Sequence, residues 1–555
     1  MNGLGEGPDS AKSVTPLEPE PSPPDRSGDG GAARLVGAAS LLSLGSVASR
    51  LLGLVRIQVI GFYFGAGFEA DAFTAAQRVP TMIYDQLVGG QISAAIVPVL
   101  THYAEARRDE LWRAASVLVT AAATASGLAG LLLYLLAGPV ARLLVGAENA
   151  GLPIVETSLK IMAPGILLFG LAGMFTGLLY ALQRFSMPAL AAPIYNLAMI
   201  GAFLAARPML GVYALPLGVT IGGLAQVLVL ARGLSEARLR PRLDLRHPAL
   251  RRVLVLYAPV AAGLLVTQGQ IVAATRFAAM GAEGTQASLG YADRLIQFPQ
   301  GFIATAISIA ILPALAAAFA RDERGTFART LARGLRMVLS LVLPAAIGMA
   351  ALAEPVVGLL LQHGAFGTGD RLAVSLALYG YLIGLPFAAL DLSLNNAFYS
   401  RQNTVLPALV GVLSVGVYLI AALLLGPTFH LLGGGFASVL LGLALADTFK
   451  HMAHAAAMAW LVRRRIDPEA LRGLGRTLLA AGLAAGSMGL VVWGFDQWLA
   501  SEVLLGAGKL AWSLRLALGA GLGLAIYLPL AARLGVAELA WSLGILRQRL
   551  ARGGG

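Results

Sequence analysis

Residues 35–64 read LVGAASLLSLGSVASRLLGLVRIQVIGFYF. The stretch is apolar from end to end, yet it holds Arg50 and Arg56. About 20 apolar helical residues cross a bilayer core, so this one is long enough to span. It is too long for a signal peptide, whose apolar core runs about 7–15 residues before a cleavage site. Barrel strands would be about ten residues long with alternating polarity, which is not the pattern here. The stretch therefore reads as a transmembrane α-helix with cationic groups inside it.

The rest of the chain follows suit. It has 555 residues, 57% hydrophobic and only 13% charged, with a mean hydropathy of +0.75. A soluble domain is about half apolar and about a quarter charged, so this composition leaves too little wettable surface for one. About fourteen spans are expected, near 36–64, 70–104, 113–144, 153–182, 186–207, 210–233, 252–280, 286–319, 329–361, 372–399, 404–426, 431–462, 471–499 and 509–533. Residues 1–33 are rich in Pro, Gly, Ser and acids and bury too little to order themselves; a disordered cytoplasmic tail is expected. At the other end, Leu539, Leu543, Leu546 and Leu550 recur at helical spacing beside Arg547, Arg549 and Arg552. Over 536–555 this suits a helix on the inner leaflet, or a plain soluble cap helix.

The net charge is +12. Nucleic-acid binding is one reading, but the basic residues sit in alternate loops. Arg232, Arg238, Arg240, Arg242 and Arg246 follow the sixth span, Arg321 and Arg324 the eighth, and Arg463, Arg464 and Arg465 the twelfth. Basic loops stay inside, which puts both termini in the cytoplasm and makes nucleic acid an unneeded partner. The absence of cysteine excludes disulfides and thiolate chemistry.

An internal repeat organises the spans. Arg78-Val79-Pro80 and later Val97-Pro98 in the second span match Asp293-Arg294, Phe298-Pro299 and Leu312-Pro313 in the eighth. The copies begin from the same side, so the repeat is parallel. The expected fold is an all-α polytopic membrane protein: an N-lobe over 34–250, a C-lobe over 251–466, each of six helices in pseudo-twofold relation, and two extra helices over 467–535. Chance similarity of two Pro-containing helices is the alternative.

Arg50, Arg56, Arg78, Arg276 and Arg294 all fall within spans. Each would be unfavourable by about 2.5–3.5 kcal/mol at the bilayer centre unless it met water, an acid or a ligand. One reading is a cationic cavity for phosphate, which the arginine fork binds in bidentate fashion. The other is snorkelling or local pairing: Arg78 with Asp71 or Asp85, Arg294 with Asp293. Arg50 and Arg56 are about 120° apart on a helix, so they share a ligand only in a wide cavity or on a bent helix. Asp391 and Asp447 are buried acids that could bind Na+ or a proton and couple transport to a gradient, or simply bond helix to helix. His451 and His454, beside Lys450, read as interfacial. There is no G-x-x-x-x-G-K-[ST] loop and no other catalytic constellation, so the chain is not expected to be an enzyme.

Ser49-Arg50-Leu51-Leu52-Gly53-Leu54-Val55-Arg56, then Phe64-Gly65-Ala66-Gly67 and Ala70-Asp71-Ala72-Phe73, resemble the opening of the MurJ (MviN) family of lipid II flippases. So do Tyr291-Ala292-Asp293-Arg294-Leu295, Phe298-Pro299-Gln300-Gly301 and Phe398-Tyr399-Ser400-Arg401-Gln402. That family belongs to the multidrug/oligosaccharidyl-lipid/polysaccharide exporter superfamily. The resemblance implies two lobes plus two helices forming a lipid groove in the bacterial inner membrane. It implies export of the undecaprenyl-pyrophosphate-linked peptidoglycan precursor by alternating access, with membrane lipids as surroundings and a monomer as the working unit. It assigns substrate or gating roles to Arg50, Arg56, Asp71, Arg78, Asp293 and Arg294. The chain departs from the family at Ile57, Tyr84-Asp85, Gly89 and Gln297, where charged or amide residues are usual; Arg276 is an unusual arginine that could replace a missing charge. Another anionic lipid-linked oligosaccharide, or a non-transporting scaffold, are the alternatives.

Overall fold

Lipid offers no hydrogen-bond partners, so each apolar run must satisfy its backbone internally and becomes a helix. The computed structural model describes residues 30–87, 91–106, 108–431, 436–502, 508–536 and 538. Tail 1–33, the C-terminal interfacial helix and Gly89 fall wholly or mostly outside these residues. The first half holds α1 (Gly30–Phe64), α2 (Phe68–Leu87), α3 (Gln91–Ala106), α4 (Arg108–Leu135), α5 (Ala137–Val145), α6 (Leu152–Ala181), α7 (Ser186–Leu210) and α8 (Ala214–Arg232). The second holds α9 (Pro248–Ala278), α10 (Thr285–Pro299), α11 (Ala306–Ala320), α12 (Arg324–Ala351), α13 (Ala353–Leu361), α14 (Thr368–Tyr399), α15 (Val405–Leu431) and α16 (Phe436–Arg465). Then come α17 (Leu474–Glu502) and α18 (Lys509–Arg533).

Among the described residues, ten helical stretches are long and apolar enough to cross a membrane. Helices α2, α9 and α16 are not in that set, and α2 and α16 carry polar residues in mid-helix. Their apolar runs are interrupted by Asp71, Gln77 and Arg78 in one, and by Asp447, Lys450, His451 and His454 in the other. The polar groups that weaken these spans are the ones that line the interior.

The repeat extends further than the quoted motifs. The third expected span divides into α4 and α5, and the ninth into α12 and α13. Both short helices have nine residues and begin Ala137-Gly138-Pro139-Val140 and Ala353-Glu354-Pro355-Val356. A proline in a first turn has no N–H to lose, but its ring obstructs the carbonyl four residues back and stops the preceding helix. The eighth span is broken differently. Between α10 and α11 lies a π-helical turn, Gln300–Thr305, just after Pro299.

Helix α6 packs on α2, α3, α4 and α8, and α7 on α1 and α8. In the second half α14 packs on α10, α12 and α16, and α15 on α16. The halves meet where α2 crosses α10, where α9 touches α3 and α5, and where α1 touches α13. Helix α17 lies on α12, and α18 on α17 and α13. A bidentate ion pair holds the last two together: Arg515 donates to Asp496 from Nε at 2.8 Å and Nη2 at 2.6 Å, and both side chains are buried.

Candidate anion-binding cavity

Between the halves lies a cavity of about 410 Å³. Helix α1 supplies Ser49, Arg50 and Arg56; α2 supplies Gln77, Thr81 and Tyr84; α7 supplies Tyr195 and Asn196. From the broken eighth span come Arg294, Gln297, Gln300 and Thr305. Arg50 and Arg56 therefore share one space despite their angular separation, because the cavity is wide. A smaller hollow of about 70 Å³ continues past Arg56 and Arg294 to Arg78, Asp293 and Tyr291. Beyond it, about 270 Å³ opens among Arg78, Gln270, Asp293, Asp447 and Lys450.

Among the described residues, Arg50, Arg56, Arg78 and Arg294 make no ion pair. The Arg50 guanidinium lies against the backbone of Gly301 and 5.8 Å from the Phe302 ring centroid. Arg56 Nη1 donates to the sulfur of Met199 at 3.8 Å, a weak acceptor. The pairings considered for the other two do not form with Asp71 or Asp293. Asp71 instead accepts from the backbone N–H groups of Gly284 at 2.8 Å and Ala287 at 2.7 Å. Asp293 accepts from Gln297 Nε2 at 3.0 Å. The side chain of Asp85 lies outside the described ones. Four guanidinium forks around adjoining hollows, none of them in an ion pair among the described residues, suit an anionic headgroup with several oxygens.

Arg276 does not join them. It sits in the last turn of α9, where its guanidinium packs on Gly146 in a hollow lined by Glu148 and Asn149. The expected substitution of a missing cavity charge by Arg276 is thus incorrect: Gln270, Ala274, Thr275 and Ala278 of α9 line the 270 Å³ space, and Arg276 lies on the opposite face of that helix. His451 and His454, expected near the interface, turn inward onto Asp391. Their i, i+3 spacing, on the face that also carries Asp447, was the available signal.

One end of the cavity is closed by contacts between halves. Besides the Asp71 bonds, Phe68 N–H donates to Glu283 at 2.8 Å, Tyr291 O–H to the Gly65 carbonyl at 2.9 Å, and Ala365 N–H to the Phe62 carbonyl at 2.8 Å. Gly284, at φ +88, provides the left-handed turn that lets α10 begin against Asp71, a conformation glycine adopts without strain. In the adjoining 362–367 loop, burial and then the Lys509 ammonium lower the His363 imidazole below its ordinary value.

Residues 60–509 match the family model described as "Lipid II flippase MurJ". The chain is 31% identical over 390 residues to the lipid II flippase MurJ of Burkholderia cenocepacia, covering 68% of this chain and 74% of that protein. It is 29% identical over 500 residues to a probable lipid II flippase MurJ of Haemophilus influenzae, covering 84% and 95%. In fold it is similar to a solved lipid II flippase MurJ in an inward closed conformation, with TM-score 0.74, 21% identity, and coverage of 88% and 97%. An inward-facing multidrug transporter of the MATE family follows at TM-score 0.64 and 14% identity, covering 78% and 98%. With the family model spanning most of its length and the arginine-lined cavity between its halves, this multi-pass membrane protein belongs to the MurJ lipid II flippase family.

Proposed function

We propose that this chain moves lipid II, an undecaprenyl-pyrophosphate-linked peptidoglycan precursor, from the inner to the outer leaflet by alternating access. The observation that carries the reading is the set of cavity arginines, Arg50, Arg56, Arg78 and Arg294, with no ion-pair partner among the described residues. A pyrophosphate supplies the oxygens these forks lack, and 410 Å³ of space leaves room around it. The basic loops put both termini in the cytoplasm. The latch around Asp71 then lies at the outer end, and the Arg50 region faces the inner one. Helices α17 and α18 offer a lipid-facing flank for the prenyl tail, and the working unit is a monomer.

The test is rescue of a bacterium depleted of its own lipid II flippase. The wild-type gene restores growth. Arg56→Ala and Arg294→Ala each abolish rescue while membrane levels stay unchanged. Full rescue by both variants overturns the reading. Failure of the wild-type gene favours a different anionic lipid-linked oligosaccharide, the reading motivated by Tyr84 in the cavity wall.

A further inference from the structure

A line of titratable groups runs through the second half, away from the arginine cavity. Asp447 of α16 borders the 270 Å³ space that Arg78 also borders. Its Oδ2 lies 3.6 Å from His451 Nε2. The other ring nitrogen, Nδ1, lies 2.8 Å from Asp391 Oδ2 on α14. Asp391 Oδ1 in turn lies 2.8 Å from His454 Nδ1, without the alignment of a hydrogen bond. Asp391 and His454 are 7% and 9% exposed.

Both nitrogens of His451 thus face carboxylate oxygens. A neutral imidazole has one N–H donor and one acceptor nitrogen, and an ionised carboxylate only accepts. The neutral ring therefore leaves a lone pair aimed at an anion. Adding one proton turns that repulsion into a second charge-assisted contact. From the neighbouring elements the groups at this level are Tyr381, Tyr418 and Asp293, which bear no compensating positive charge at neutral pH, and Lys450 and Arg78. Helix α11 brings Ser308, bonded to Ser393. The arginines of α12 lie toward its start, with Arg336 paired to Glu538. Lys450 binds Asp447 and competes for it, whereas among the described residues only the two imidazoles pair with Asp391.

We infer that His451, held between Asp391 and Asp447, is a proton-binding site whose loading sets the charge facing Arg78 and so couples proton uptake to the anion cavity. One solvent proton forms the second ring N–H, and its loss returns the ring to neutrality. His454, one turn nearer the Arg463–Arg465 end of α16, offers the entry side. The inference rests, for its coupling half, on the transport reading above.

The site is tested without substrate. Selectively labelled histidine in the full chain, which has six histidines, is followed by NMR in lipid nanodiscs, with His451 assigned through His451→Gln. The expected result is a His451 resonance that moves with pH and whose midpoint is displaced by Asp391→Asn. A wild-type His451 resonance that does not move with pH, or whose midpoint Asp391→Asn leaves unmoved, overturns the proton site. So does a spectrum that responds to Na+ at fixed pH as it does to acid. The coupling is read from lipid II movement in vesicles against pH: Asp391→Asn and His451→Gln shift the profile, and unchanged profiles in both overturn the coupling. A wild-type chain that moves no lipid II at any pH also overturns the coupling, whereas the NMR titration still decides the proton site.

Discussion

The carboxylate of Asp71 on α2 sits at the N-terminus of α10 and accepts the backbone N–H of Ala287 at 2.7 Å. It accepts from Gly284 as well. The first N–H groups of a helix have no internal partner, and an acid placed there satisfies them and complements the helix dipole. Because Asp71 belongs to one half and α10 to the other, this helix cap is also a clasp across the cavity mouth. Asp71→Ala removes the acceptor and leaves two partly buried N–H groups unpaired, at a cost of about 1–3 kcal/mol each. The open form of that end should gain population. The chain has no cysteine, so a single cysteine at Thr74, which lines the adjoining hollow, reports access cleanly. Labelling from the outer side should rise severalfold in Asp71→Ala and less in Asp71→Asn. Equal labelling in all three forms would show that the clasp is not what holds the mouth shut.

The arginines separate by location. Arg50 lines the cavity and Arg276 does not. Arg50→Ala should therefore abolish or severely reduce rescue of a flippase-depleted cell, and Arg276→Ala should leave it close to wild type. Loss of rescue in the second variant at normal membrane levels would place a function at the surface hollow beside Gly146.

Much of this was legible in the residues and some was not. Membrane-inserted arginines and the Arg78/Arg294 repeat could be read because each violates the apolar background of its own span. Which arginines meet could not, since that depends on how each helix is turned in the bundle: Thr275 and Ala278 of α9 face the inner space, and Arg276 between them faces away. The clasp was hidden because Asp71 binds backbone N–H groups, which carry no sequence signature. The division of the third and ninth spans was signalled by Pro139 and Pro355, but only as a pair. The His451–Asp391 contact joins positions on two helices whose register no local pattern specifies.

Gly301 tests the Arg50 position by another route. A Cβ there would collide with the Arg50 guanidinium, the mobile end of a flexible side chain. Gly301→Ala should then fold normally, within about 0.5 kcal/mol of wild type, while displacing Arg50 and lowering rescue toward the level of Arg50→Ala. Gly269→Ala is the control, since a Cβ at that position meets nothing within 4 Å. Thermal melting of the purified chains and the rescue assay together decide this: a variant that melts as wild type and rescues fully would show that Arg50 has a second working position.

The Arg515–Asp496 pair is buried at 2.6 Å between α17 and α18. Removing one partner of a buried pair leaves an uncompensated charge and costs about 3–5 kcal/mol, whereas replacing both with apolar residues is often neutral. Asp496→Ala should lower the amount of protein in the membrane, and Asp496→Leu with Arg515→Leu should recover it. Quantitative immunoblotting of membrane fractions reads the outcome. A double variant as depleted as the single one would mean that the pair sets the α17–α18 geometry and not merely its own neutrality.

The 362–367 loop carries a pH dependence of defined sign. The imidazole of His363 is lowered by burial and by Lys509, so the folded loop prefers the neutral ring. Its stability is full above the ordinary histidine value of about 6.5 and declines as pH falls below it. The neighbouring contact at stake is Ala365 N–H to the Phe62 carbonyl, 2.8 Å. Hydrogen exchange at Ala365, corrected for the intrinsic rate at each pH, should lose protection between neutral and mildly acidic conditions. His363→Gln cannot titrate and should hold its protection constant over the same range. Protection that falls equally in both chains would assign the acid sensitivity to another group, and protection that is constant in both would show that the loop tolerates the charged ring.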